Sequence, residues 1–187
     1  DMGRPTGVTD ALSRTTSFEY DNAGNRTAVI NAQLKRFSFE YDDHNNLVRA
    51  TDPYQKYITT EYNTDDLPVS AVDQEGRETG LSYDNEGRLL STTDGAGNTA
   101  VYHYDETSAT PVSSYKPVRI DYPTYSRTFT YDRLQRVTCS TDILEAGVEQ
   151  STSYVYDANG NVIESRDKEN RSTRYEYDAL NRLTRSA

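Results

Sequence analysis

Apolar and polar residues alternate with period two over short stretches of this chain. Phe18 and Tyr20, Phe37, Phe39 and Tyr41, Leu81 and Tyr83, Tyr102 and Tyr104, Phe129 and Tyr131, and Tyr175 and Tyr177 each bracket a polar neighbour, and Tyr154 and Tyr156 hold the same spacing around Val155. That period places the rings on one face of a strand and residues such as Ser38, Glu40, Ser82, His103, Thr130 and Glu176 on the other. Val, Thr, Tyr and Phe also favour pleated backbone. Each run predicts a strand of about 5–7 residues, near the usual length.

Turn chemistry separates the runs. Asp21-Asn22-Ala23-Gly24-Asn25, Asp84-Asn85-Glu86-Gly87-Arg88 and Asp157-Ala158-Asn159-Gly160-Asn161 follow directly on a tyrosine. An Asp side chain bonds the backbone just after it, and Gly or Asn accepts positive φ. A turn that ends in a left-handed residue joins two strands as a short hairpin. Four residues after six of the repeat tyrosines stands Gly24, Asn45, Gly87, Gln135, Gly160 or Asn181, and two further on in most copies an apolar residue, as at Leu47, Leu89, Val137, Val162 and Leu183. A second turn is expected around Asn31, Asp52, Asp73, Asp94, Asp142 and Asp167.

The pattern is a tandem repeat. Tyr20-Asp21, Tyr41-Asp42, Tyr83-Asp84, Tyr104-Asp105, Tyr131-Asp132, Tyr156-Asp157 and Tyr177-Asp178 carry it, and Tyr62-Asn63 fills the remaining slot. Most intervals are 21 residues; two are longer, at 27 and 25. A period of this size means one small supersecondary unit used repeatedly. Each unit reads as two strands and two turns, its structural positions being the tyrosines, the aspartates, Gly24, Gly87 and Gly160. Residues 1–187 read as one continuous array of about eight units. Loop insertions are expected near 106–123, where Pro111, Pro117 and Pro123 cluster, and near 143–150. Proline cannot donate to a ladder, and longer loops cost little entropy.

The expected fold is all-β: tandem antiparallel hairpins pairing edge to edge as a single-layer sheet, curved or spiralling along its length. Two strands advance such a sheet by roughly 10 Å, so equivalent tyrosines recur at that interval. Twist of fixed hand, repeated in each unit, bends the strip into a wall. A four-stranded propeller blade has about the length of two units, but the Trp-Asp signature is missing and no 42-residue modulation exceeds the 21-residue one. A parallel β-helix lacks hairpin turns.

Composition narrows this further. Hydrophobic residues make up 34% of the chain, with 16 Tyr against 4 Phe and no Trp. Tyrosine suits surfaces half buried and half wet, as thin layers provide. The net charge of -10 opposes nucleic acid, which needs a basic field, and an anionic membrane surface. No apolar run approaches the length of a membrane span. The single Cys139 rules out an internal disulfide framework and a cysteine-rich zinc site. The chain shows no targeting signal and begins inside the pattern, as a piece of something longer would.

Tyr83-Asp84-Asn85-Glu86-Gly87-Arg88-Leu89 and Tyr156-Asp157-Ala158-Asn159-Gly160-Asn161-Val162 resemble the consensus of the YD-repeat, or Rhs-repeat, family. The resemblance covers essentially the whole chain. Tyr62-Asn63 lacks the Asp, and Arg26 stands where an apolar residue is usual. The resemblance implies a spiralling β-sheet that builds a hollow shell. Members include shell components of insecticidal toxin complexes, bacterial polymorphic toxins and teneurin-type adhesion receptors. For this chain it implies a non-catalytic wall around a cargo or toxin polypeptide. The partners would be that cargo domain, neighbouring repeats and further copies at the sheet edges, and the location secreted, surface-bound or exported by a bacterial secretion system. The family's self-cleavage core segment is not matched: Asp52-Pro53-Tyr54-Gln55-Lys56 departs from it.

The candidate chemistry is weak beside this. The oxygen-rich turns do not fit a twelve-residue calcium loop, and turn geometry accounts for their aspartates without metal. Adjacent carboxylates at Asp42-Asp43 and Asp65-Asp66 point to opposite faces of a strand rather than across a cleft. His44 and His103 form no recognisable triad. No catalytic, cofactor or metal residue is assigned, and no enzyme is expected. The rival reading is an adhesion or carbohydrate-binding array using exposed tyrosine rows. It is decided by whether those rings pack on neighbouring strands or stand free in a groove.

Overall fold

The computed structural model describes residues 3–104 and 115–187. Asp105, Pro111 and the 106–114 part of the first insertion lie outside the described residues. The described chain is all-β, with seventeen strands in one open sheet and a single 3-10 turn at Glu145–Gly147. It divides into two compact units, Asp1–Gly87 with Thr92–Gly97, and Arg88–Ser91 with Asn98–Ala187.

The first unit holds β1 (Gly7–Thr9), β2 (Thr15–Tyr20), β3 (Arg26–Ile30), β4 (Arg36–Tyr41), β5 (Leu47–Thr51), β6 (Tyr57–Tyr62), β7 (Pro68–Val72) and β8 (Glu78–Tyr83). Each pairs antiparallel with the next in sequence. After β9 (Leu89–Thr93), the second unit holds β10 (Thr99–His103), β11 (Arg119–Asp121), β12 (Ser126–Tyr131), β13 (Val137–Ile143), β14 (Glu149–Tyr156), β15 (Val162–Arg166), β16 (Ser172–Tyr177) and β17 (Leu183–Ser186). Here too, each strand from β10 onward pairs antiparallel with its successor.

One irregularity recurs. Where a tyrosine strand meets the strand after its turn, the register slips by one residue: Tyr20 faces Arg26, Tyr41 faces Leu47 and Tyr62 faces Pro68. The same slip brings Tyr131 to Val137, Tyr156 to Val162 and Tyr177 to Leu183. It is a bulge created by a left-handed residue at the fourth position of a five-residue turn. Gly24 (φ 100°), Asn45 (69°), Asp66 (60°), Gly87 (77°), Gln135 (61°), Gly160 (93°) and Asn181 (60°) occupy that position.

Register also sorts the two faces. Phe18, Val29 and Phe37 form one cross-strand row on the tyrosine face, and Phe39, Ala50 and Ile58 the next. The other face carries rows such as Glu40, Arg49 and Thr59. A single layer leaves little interior. Among the described residues the buried ones are Ala28, Ile120 and Asp142.

Two local expectations change. Asp142 is not a turn residue; it ends up inside β13, 5% exposed. The four extra residues before Tyr156 do not swell a loop. They lengthen β13 to seven and β14 to eight residues, against five and six in β5 and β6, and the turn stays at five residues, Leu144 to Val148. Added backbone finds ladder partners in a longer hairpin, whereas in a loop it would not. Leu144, with no side-chain acceptor, opens that turn. In the other insertion, β11 returns through a tight turn closed by Tyr122 N–H to Tyr125 C=O, with Pro123 at its second position and the two tyrosine rings stacked 4.6 Å apart.

Candidate functional site: a tyrosine latch and a turn ladder

Every tyrosine of the repeat is half-buried and its hydroxyl is engaged. Tyr20 donates to the carbonyl of Pro5 (3.1 Å), Tyr41 to Arg26 (3.1 Å), Tyr62 to Leu47 (3.2 Å) and Tyr83 to Pro68 (2.9 Å). Tyr104 donates to Leu89 (2.9 Å), Tyr131 to Pro117 (2.8 Å), Tyr156 to Val137 (2.8 Å) and Tyr177 to Val162 (2.9 Å). From Tyr41 on, the acceptor is the residue six places after the preceding tyrosine; Tyr131 alone departs, since it follows the insertion. Arg26, Leu47, Pro68, Val137 and Val162 each face the preceding tyrosine across the bulge. Each phenol thus closes the end of the preceding hairpin. Burial raises the phenol pKa of Tyr83 and Tyr131.

The turn aspartates organise the backbone that follows. Asp132 Oδ1 accepts the N–H groups of Leu134 (2.9 Å) and Arg136 (3.0 Å), and Oδ2 takes Arg136 Nε (2.6 Å). Asp21, Asp42, Asp157 and Asp178 repeat this pattern. In Tyr62's unit Asn63 stands in, its Oδ1 accepting the N–H groups of Asp65 and Leu67. Asp84 bonds the N–H of Glu86, and its carbonyl takes the N–H of Gly87. The Arg136 backbone donor, and after it the Arg136 side chain, holds the Asp132 carboxyl below its usual range against burial. For Asp157 the Asn161 side chain is the leading cause. Gly24 has a second duty: a Cβ there would run into the Arg4 guanidinium.

Sequence reasoning assigned no role to the fifth turn residue, and it is this residue that joins one turn to the next. Asn25 Nδ2 donates to its own Asp21 and to Asn45 Oδ1 of the following turn (2.7 Å). Asn46 does the same with Asp42 and Asp66 (2.8 Å), and Asn161 with Asp157 and Asn181 (2.9 Å). Arg136 combines both devices: its guanidinium lies 4.5 Å from the Tyr156 ring centroid and donates to the Asp157 carbonyl. His44 adds to the ladder through Asp66 (2.7 Å), which raises its pKa. The recurrence of Asn or Arg five residues after the tyrosine was the available signal.

The remaining chemical candidates are placed as follows. Asp142 is held by Arg127 and Lys168, and its carboxyl is driven down to about 2, first by Arg127. His103 Nε2 meets Asp121 Oδ2 at 2.8 Å, and the Ser126 hydroxyl heads the groups that drive the Asp121 carboxyl down to about 2. Asp121 is therefore the middle member, which is not the order that activates a serine nucleophile. Among the described residues no group of three or more His, Cys, Asp or Glu is disposed to hold a metal.

A profile of the RHS Repeat matches residues 3–33, 62–99 and 156–187, more than half of the chain. The chain belongs to the RHS-repeat family. No curated protein sequence matches it. Solved structures do match the RHS array in fold. TcdB2-TccC3 without its hypervariable C-terminal region superimposes with a TM-score of 0.73 at 16% identity, covering 96% of this chain and 11% of that one. A Tc holotoxin pore of Photorhabdus luminescens with a mutated TccC3 gives 0.69 at 18% identity, covering 91% and 10%. The TcdB2-TccC3-Cdc42 structure gives 0.72 at 15% identity, covering 92% and 10%. The RHS array thus spans about a tenth of the length of these chains and shares their fold.

Proposed function

We propose that this RHS array is a wall segment of a shell that encloses a cargo polypeptide, and that it acts by steric exclusion without covalent chemistry. The observation that carries this reading is the tyrosine latch. Eight phenols donate to backbone carbonyls of the chain itself, which ties successive hairpins together. The kinship with Tc toxin structures supports it at the level of fold. On this reading residues 1–187 form one uninterrupted array, the tyrosines and aspartates of the repeat are structural, and the partners are the parent's own cargo domain and adjoining repeats. On the same reading the protein is secreted, held at a cell surface or exported by a bacterial secretion system.

Limited proteolysis of the parent polypeptide tests this. Its cargo domain should resist protease in the intact protein and become sensitive when Tyr41, Tyr62 and Tyr83 are all changed to Phe. Losing one such bond costs about 1 kcal/mol, so the triple variant loosens the wall without abolishing the strands. A cargo domain cut as fast in the intact parent as when produced alone would remove the shell reading.

A further inference from the structure

The hairpin of β11 and β12 carries an aromatic pair that the repeat does not explain. The aspartate turns of the array span five residues. Here β11 turns into β12 through Pro123 and Thr124 alone, set between Tyr122 and Tyr125 and closed by Tyr122 N–H to Tyr125 C=O at 2.8 Å. So short a loop puts its two flanking residues side by side. Their rings lie 4.6 Å apart, centroid to centroid, and 16° from parallel. That is the near end of the range for aromatic pairs. Among the described residues no other two tyrosine rings stack on each other.

The hydroxyls also set this pair apart. The eight repeat phenols each commit their proton to a backbone carbonyl. Those of Tyr122 and Tyr125 have no hydrogen-bond partner among the described residues. Burial raises the Tyr122 phenol above its ordinary value, and the Tyr125 phenol beside it is the next cause, so Tyr122 keeps its proton at neutral pH. Arg127, held by Asp142, lies 5.8 Å from the Tyr125 ring centroid and steadies that ring. Two half-buried phenols fixed face to face are thus arranged in advance for a reaction between their rings.

We propose that Tyr122 and Tyr125 are an oxidative coupling site, at which a peroxide acting through a one-electron peroxidase joins the two rings carbon to carbon as an intramolecular dityrosine. Each phenol gives up one electron and its hydroxyl proton. The two phenoxyl radicals pair at carbons ortho to their oxygens. The hydrogens on those carbons then pass to the oxygens, which restores both rings and both hydroxyls. Two electrons and two protons leave the protein, and one peroxide takes them up as two waters. The product is a covalent staple across the turn of this hairpin. The site uses none of the latched phenols and does not depend on the shell reading.

The test treats the 187-residue chain, kept dilute, with hydrogen peroxide and a haem peroxidase, followed by trypsin and mass spectrometry. Cleavage after Arg119 and Arg127 releases residues 120–127, which hold Tyr122, Tyr125 and no third tyrosine. That peptide should become lighter by two hydrogen atoms and stay unjoined to any other. Tyr122→Phe and Tyr125→Phe should each abolish the change. A synthetic peptide of residues 120–127, treated alongside, should couple less by about tenfold or more, because only the folded hairpin holds the rings together. Tyr54 and Tyr115, each 74% exposed, report that the oxidant is active. An unchanged 120–127 peptide while either of these is oxidised would overturn the proposal. So would equal yields from the chain and the free peptide, or survival of the change in Tyr125→Phe.

Discussion

At the residue scale the dominant constraint is the left-handed position in each turn. Gly76 (φ 77°) and Leu34 (φ 59°) sit at equivalent places in turns two repeats apart, with Gln55 (φ 67°) at that place in the turn between them. A Cβ at Gly76 would meet nothing within 4 Å, so a substitution there reports backbone strain alone. Gly76→Ala is expected to lower stability by about 1 kcal/mol and Leu34→Asn to raise it by roughly 0.5–1 kcal/mol. Chemical denaturation of the two variants beside the parent chain checks both signs. Movement in the same direction for both would refute the strain argument.

At the element scale, turns act on one another. Asn161 bonds its own Asp157 and also Asn181 of the following turn, so the two hairpins are energetically coupled. A double-mutant cycle with Asn161→Ala and Asn181→Gly is expected to give an interaction of about 0.5 kcal/mol or more. The glycine keeps the positive φ while removing the amide, and strict additivity would mean that the ladder is geometric only. Asp142 acts across three elements. Arg127 comes from β12, Asp142 from β13 and Lys168 from the turn after β15. Its folded pKa, about 2, lies below the unfolded value near 3.9, so its contribution is complete above pH 4 and fades as pH falls toward 2. Asp142→Asn should therefore destabilise the chain at pH 7 and have little effect at pH 2. The thermal midpoint followed from pH 7 to pH 2 should show the two proteins converging on the acid side. A constant gap would show that the carboxylate charge is not what matters.

At the scale of the whole molecule, a single-layer sheet derives its cohesion from ladders, latches and turns, because so few side chains are buried. Repeat arrays of this kind behave as a chain of nearest-neighbour couplings rather than as one core. Their terminal strands offer unpaired backbone to other chains. β17, all of whose residues are exposed, is such an edge. Sedimentation of the 187-residue chain should show association that grows with concentration. A strictly monomeric species at high concentration would indicate that the edge is blunted.

The alternation of rings and polar residues, the spacing of the turns and the left-handed positions held by Gly or Asn were legible in the sequence, whereas those at Ser13, Leu34, Gln55 and Asp66 were not. Each depends on residues within about five places of one another, where covalent geometry and side-chain-to-backbone bonds act directly. The tyrosines could be recognised as repeat positions, but their acceptors lie 14 to 19 residues back and became visible only once strand register was fixed. The same holds for the joining role of Asn25, Asn46 and Asn161, whose second partners belong to the next turn. Asp142 matched a turn aspartate by its interval from Tyr131, yet β13 and β14 lengthened around it and placed it between two cations instead. Sequence alone determined the repeat unit and its two turns, because those are local. Only tertiary structure decided which carbonyl each phenol closes, which turn each amide joins and where a carboxylate is buried, because these follow from the sideways pairing of strands.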